Sequence, residues 1–205
     1  MSAKKILVFV FGVVATAAVI YSFIGNNKAD YITTIEKARK EKDHYLRTSP
    51  DSPFKDDPQS FKGLTYYPVD PAFRVQARLV PIEQKKVVVL PTSDGQEKKY
   101  IEYGYAEFKL NGVANRLLIL EIMDMGPYRG TLFLAFGDAT SARETYGAGR
   151  YLDVKNVKGS HTITLDFNEA YNPYCAYNEN YSCPLPPREN LLVIPITAGE
   201  MNYPK

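Results

Sequence analysis

Hydrophobic and polar positions follow three patterns along this chain, and each pattern predicts a different element. From Ile6 to Gly25 (ILVFVFGVVATAAVIYSFIG) no charge interrupts 20 residues, a length that crosses the apolar core of a bilayer as a helix. The stretch predicts a membrane anchor over residues 6–25. A shorter division of the same residues is a secretory signal, with 6–14 as its apolar part and Ala15-Thr16-Ala17 as the small residues for cleavage. From Asp30 to Arg47, Tyr31, Ile35, Ala38, Tyr45 and Leu46 recur near helical spacing, with Asp30 as N-cap. This is a charged amphipathic helix with one side on the domain. Two prolines in TSPDSPFK (48–55) stop it.

Beyond Phe61 the period drops to two. Residues 73–79 alternate apolar and polar, and 86–90 with 98–110 around Asp94-Gly95 predict a hairpin. Asn111-Gly112 suits the positive φ angles of a type I′ turn, so 113–122 should pair back onto the strand before it. Leu117, Leu118, Ile119 and Leu120 are apolar on both faces, which makes that strand central. Met125-Gly126-Pro127 turns the chain into a strand at 132–136, Asn156 to Ser160 forms a turn, and 161–167 alternates again. Residues 191–197 read as the last strand, at an edge or bulge because of Pro195. Hairpin-length connections between seven or eight strands predict a mainly β domain over 51–205, an antiparallel sandwich or closed barrel. It follows a membrane segment (1–27) and an amphipathic helix with its linker (28–50).

Two stretches fit no core strand and no idle linker. Residues 137–153 (GDATSARETYGAGRYLD) and 166–190 (DFNEAYNPYCAYNENYSCPLPPREN) carry tyrosines, both charge signs and turn residues. They are predicted to converge on one face. Composition supports a binding face there: 16 Tyr and 10 Phe without a Trp supply large rings with polar tips, although β-propensity favours the same residues. A net charge of +2 indicates no nucleic-acid partner. Lys4 and Lys5 ahead of the apolar run place the amino terminus in the cytoplasm and the domain outside it, anchored through residues 6–25.

Candidate chemistry concentrates in the same stretches. Arg150 offers a forked charge to an anionic ligand, Tyr146, Tyr151 and Tyr171 would line a groove, and Asp138, Asn168 and Asn172 would give directional hydrogen bonds. The alternatives are a structural plug, in which Arg150 pairs with Asp138 or Asp166 inside the fold, and a hydrolase-like site using Asp138 or Asp166 as base beside His161. His161 shares its strand face with Ile163 and Leu165, which also suits a core histidine. Gly147-Ala148-Gly149 either cradles an anion or forms a sharp turn; it lacks the ending of a phosphate loop. Cys175 and Cys183 are the only cysteines, open to a disulfide worth roughly 2–3 kcal/mol by chain entropy or to a pair of buried thiols. No metal site is predicted, and no motif specifies a cofactor.

Three stretches carry a resemblance. TSPDSPF with FKGLTYYPVDPAFRVQARL (48–79), GDATSARETYGAGRYLDV (137–154) and LDFNEAYNPYCAYNENYSCPLPPRENLLVIPITAGE (165–200) occur in order and resemble the domain of unknown function 1684 family over about residues 40–200. The resemblance implies no activity or cofactor. It does imply a departure, since family members often carry a basic residue at position 137 and a glycine at position 142.

Overall fold

The structure is a computed structural model and describes residues 27–123, 126, 128–155 and 159–204. The apolar run 6–25 lies outside the described residues, and no helix among them is long and apolar enough to cross a membrane. The turns expected at 125–127 and 156–160 fall partly outside them as well.

Asn111-Gly112 sets the register of the sheet. Both residues take positive φ, 52° and 78°, as a two-residue type I′ turn requires. Strand β3 (Glu97–Leu110) therefore folds straight back on β4 (Val113–Ile122), with Leu110 opposite Val113 and Tyr100 opposite Ile122. On its other side β3 is long enough to serve two partners. Its first half pairs with β2 (Val87–Pro91) and its second half with β1 (Arg74–Pro81). A bulge between Glu102 and Gly104 marks the changeover. A Cβ at Gly104 would stand 2.8 Å from the Val80 carbonyl oxygen, which is why glycine occupies that point.

Beyond β4 come β5 (Leu132–Phe136) and β6 (Arg150–Val154), and beyond β1 comes β7 (Thr162–Asp166). The order β6-β5-β4-β3-β1-β7, all pairings antiparallel, makes one seven-stranded sheet with β2 branching from β3. The sheet curls until the edges of β6 and β7 approach each other, but no ladder joins them among the described residues. The architecture is thus a curled half-barrel, where the strand pattern predicted a sandwich or closed barrel. Leu117 and Ile119 of β4 face the concave core with Leu134, Phe136 and Leu165, while Leu118 and Leu120 face a second core with Tyr100, Phe133 and Tyr151. The three β4 leucines and Ile119 are fully buried, as expected for a central strand covered twice.

Two segments depart from expectation. Residues 150–153 belong to a paired strand, not to a loop. Residues 191–197 form no ladder strand, although Leu192, Ile194 and Ile196 alternate into the concave core while Val193 stays outside. Pro195 has no N–H to give; before it the backbone of 137–139 pairs with 190–194, with the Leu192 N–H on the Gly137 carbonyl at 2.8 Å and the Ala139 N–H on the Ile194 carbonyl at 3.2 Å, and beyond it polar side chains take over. The Ile196 N–H goes to the Asp138 carboxylate, and the Ile196 carbonyl accepts from Arg150.

Helix α1, described over 27–48, lies across the gap between β6 and β7. Ile35 and Leu46 bury against the domain as predicted, but Ala38 and Tyr45 stay exposed. The remaining inward positions are polar. The Tyr31 hydroxyl donates to both Asp166 oxygens at 2.8 Å, Arg39 donates to the Tyr67 and Asn168 carbonyls at 2.9 and 3.2 Å, and Lys42 pairs with Glu200 at 2.8 Å.

Candidate functional site

The two tyrosine-bearing stretches meet. Tyr151 and Tyr171 exchange backbone hydrogen bonds at 2.8 and 2.9 Å, the Tyr151 hydroxyl donates to the Pro184 carbonyl at 2.6 Å, and Tyr146 donates to the Cys175 sulfur at 3.8 Å. Gly149 takes φ 90° and packs so closely that an added Cβ would be 2.5 Å from Pro186 and 2.7 Å from the Phe136 carbonyl oxygen. The glycines at 147–149 therefore serve a turn and a close approach.

At the centre of this contact lies Arg150, 1% exposed. One terminal nitrogen donates to Asp138 and to the Ile196 carbonyl, both at 2.9 Å, and the other reaches the Ala198 and Glu200 carbonyls at 2.5 and 3.2 Å. The other Asp138 oxygen accepts from the Thr140 N–H, the Thr140 hydroxyl and the Ile196 N–H. Arg150 and Asp138 thus latch the 196–200 segment, whose backbone also bonds to Tyr67 and Ala170 and bridges Tyr66, onto β6 and the 137–145 loop. Asn172 is equally committed, donating to Glu200 and the Met201 carbonyl at 2.8 Å. Tyr146 and Tyr151 belong to the second core.

Of the residues singled out in the sequence, Asp138 lines a concavity of about 390 Å³ with Gly147, Ala148 and Gly149, whereas Asn168, Tyr171 and Asp166 reach a different one, along the seam beneath α1. Its outer part, of about 490 Å³, is walled by Tyr31, Arg74, Thr162, Thr164 and Asp166; its inner part, of about 250 Å³, by Arg39, Lys42, Tyr66, Asn168 and Tyr171. Ile35, Asp153, Lys155 and Glu169 border both, so the two parts form one groove. Ser160, Thr162, Thr164 and Asp166 face it at alternate positions. His161 is exposed and absent from that wall. The expected apolar-face histidine is not a core residue, because β7 begins at Thr162 and the buried face starts at Ile163. No carboxylate of the groove is therefore shown to have a histidine partner.

Polar side chains in this groove are held at a cost. Asp166 accepts from Tyr31 and from the Asn168 N–H, and Arg74 stands 3.7 Å away. Burial raises the Tyr31 hydroxyl pKa, helped by Asp166. The Glu169 carboxyl is lifted by partial burial and then by the neighbouring Asp166 charge, against Lys155 and Arg74. Arg39 is lowered by burial and lies over the Tyr66 ring, 4.5 Å from its centroid. Within the inner wall, Arg39 Nε and the Tyr66 hydroxyl are buried with no hydrogen-bond partner among the described residues. A buried unpaired donor costs about 1–3 kcal/mol.

Sequence reasoning missed Arg39, Lys42, Tyr66, Arg74, Lys155, Glu169 and Glu200. The helix pattern around Arg39 and Lys42 showed only that some side of the segment would dock, and nothing local marks the others. Among the described residues no group of three or more potential ligands could hold a metal ion.

These features define a class: a curled antiparallel half-barrel, latched by a buried Arg-Asp pair, with a helix lying over a mixed-charge groove at its open seam. The chain belongs to the family described as Protein of unknown function (DUF1684), whose model matches residues 59–201. It is similar to the solution NMR structure of an uncharacterized protein from Haloarcula marismortui, with 35% identity and a TM-score of 0.65, covering 86% of this chain and 96% of that one. No protein of curated function matches the chain.

Proposed function

We propose that this protein is a membrane-tethered, extracytoplasmic binding domain that takes a small polar ligand bearing an anionic group in the groove beneath α1. The observation that carries the reading is the pair of unpaired polar atoms in the inner wall, Arg39 Nε and the Tyr66 hydroxyl. Both can donate, and Lys155 borders the same space. An anionic oxygen bound there would satisfy both donors and meet the half-buried guanidinium charge. Asp153 and Glu169, which border the groove with Lys155, would accept from hydroxyl or amino groups of the same ligand. The tether is supported by the uncharged run 6–25 following Lys4 and Lys5.

A panel of dicarboxylates, sugar phosphates and amino acids, titrated onto the full chain by calorimetry, tests the ligand. Binding should weaken by about tenfold or more in Tyr66→Phe, since one charge-assisted hydrogen bond contributes about 1.5–3 kcal/mol, without loss of thermal stability. No binding across the panel, or equal binding by Tyr66→Phe and Lys155→Ala, sinks the assignment. Protease accessibility of the domain in intact cells tests the tether; a domain protected until the cell membrane is opened refutes it.

A second reading, a domain whose polar face is purely structural, is favoured by the sealed Arg150-Asp138 pair. It predicts that Tyr66→Phe and Arg39→Met affect stability alone.

A further inference from the structure

The segment after Pro173 carries two sulfurs that ligand binding leaves unused. A single 3-10 turn, Tyr174–Ala176, buries Cys175 beneath Tyr146. The chain then passes through exposed Glu179 and Asn180 and returns to set Cys183 beside its starting point. The Cys175 N–H donates to the Cys183 sulfur at 3.3 Å. Both cysteines are free thiols, 7% and 8% exposed.

Each sulfur is held by an anchored backbone. The Cys183 N–H donates to the Ser93 hydroxyl at 3.2 Å, and the Ser93 N–H donates to the Cys183 carbonyl at 2.9 Å, tying Cys183 to the β2–β3 turn. Cys175 is fixed by the turn in which the Ala176 N–H reaches the Pro173 carbonyl at 2.9 Å. The two thiols also differ chemically. The hydrogen bond from the Cys183 thiol, with further ones from Ser93 and Tyr146, draws Cys175 down to about 6 against the upward pull of burial. The same bond from the other side, together with burial, pushes Cys183 upward. The Tyr146 hydroxyl donating to its sulfur makes Cys175 the member whose thiolate is favoured, and Cys183 the member that keeps its proton.

We propose that Cys175 and Cys183 form a redox-reactive dithiol, in which Cys175 attacks the disulfide of a small oxidised thiol and Cys183 resolves the product. In the first step the Cys175 sulfur bonds to one sulfur of the incoming disulfide, whose S–S bond breaks, and the other half leaves as a thiolate that takes up a proton. In the second, Cys183 gives its proton to solvent and attacks the Cys175 sulfur, releasing the second half in the same way. The protein loses two electrons, and the small disulfide gains them as two thiols. The bridge would fasten the Tyr174–Ala176 turn to the β2–β3 corner.

The test equilibrates the full chain in mixtures of reduced and oxidised glutathione, quenches with acid and reads intact mass. One transition is expected, from two free thiols to an internal bridge without retained glutathione. Cys183→Ser should hold glutathione on Cys175, whereas Cys175→Ser should react at least about tenfold more slowly at pH 7. Iodoacetamide applied to the unmutated protein gives a second reading, with Cys175 modified about tenfold ahead of Cys183. The proposal is overturned if both thiols stay free in fully oxidised glutathione while the urea-unfolded chain forms the bridge. Equal reactivity of the two cysteines, in folded variants or in the unmutated chain, overturns it too.

Discussion

Replacing Arg150 with methionine separates a structural latch from a ligand contact. Methionine keeps much of the aliphatic volume but removes the guanidinium that meets Asp138 at 2.9 Å and serves the carbonyls of Ile196, Ala198 and Glu200. The Arg150 and Asp138 side chains are each 1% exposed, so solvent cannot replace the lost partner. Breaking such a pair costs about 3–5 kcal/mol, and carbonyls left without a donor add about 1 kcal/mol in total once local water is admitted. A loss of about 4–6 kcal/mol against a total stability of about 5–15 kcal/mol should show as a large fall in the urea midpoint, followed by circular dichroism. Asp138→Asn in the same background should recover about 1–2 kcal/mol relative to the sum of the single changes, because the stranded charge is gone. A loss below about 1 kcal/mol for Arg150→Met, or strict additivity in the double variant, would refute the latch.

Other consequences follow from single positions. Ala142 takes φ 64°, a left-handed conformation that costs a non-glycine residue about 1–2 kcal/mol; Ala142→Gly should raise stability by about 0.5–1 kcal/mol in urea melts after the added chain entropy is deducted. Gly149→Ala should lower it by about 2–4 kcal/mol, since its Cβ would strike Pro186 and the Phe136 carbonyl. Because the Glu169 carboxyl is raised in the fold, its contribution is present below the unfolded glutamate pKa and lost as pH rises through the folded value. Glu169→Gln should therefore melt higher than the unmutated protein at pH 7, with no difference near pH 3.5. Closing Cys175 to Cys183, eight positions apart, should stabilise the oxidised protein by roughly 2–3 kcal/mol over the reduced one by chain entropy.

Period and turn chemistry made the sheet readable. Asn111-Gly112 fixed a hairpin because only a few residues tolerate two consecutive positive φ angles, and four successive apolar residues at 117–120 marked a strand buried on both faces. The half-barrel was not readable, because closure depends on whether β6 and β7 pair, which neither strand's own pattern records. Residues 191–197 misled for a related reason. Their alternation is real, but it reports burial and not a ladder: an isolated bridge to 137–139 and the side chains of Arg150 and Asp138 hold the segment where a neighbouring strand would. The meeting of the two tyrosine-bearing stretches was legible from their composition. Its centre was legible only as alternatives, and the structure places Arg150 in the internal one. The groove escaped because its inner wall comes from the polar side of α1 and from Tyr66. Neither carries a motif: several buried polar atoms lack a partner, those of Tyr67, Arg150 and Asn172 among them, and what sets Arg39 and Tyr66 apart is that theirs border the groove in three dimensions.

The side-chain Nε–H resonances of Arg39 and Arg150, followed by NMR while a small anion is titrated onto the full chain, test the binding groove most directly. Occupation of the groove should move the Arg39 signal saturably and leave that of Arg150 in place. A saturable shift at Arg150 with Arg39 unmoved, or no shift at either with any anion of the panel, would contradict it.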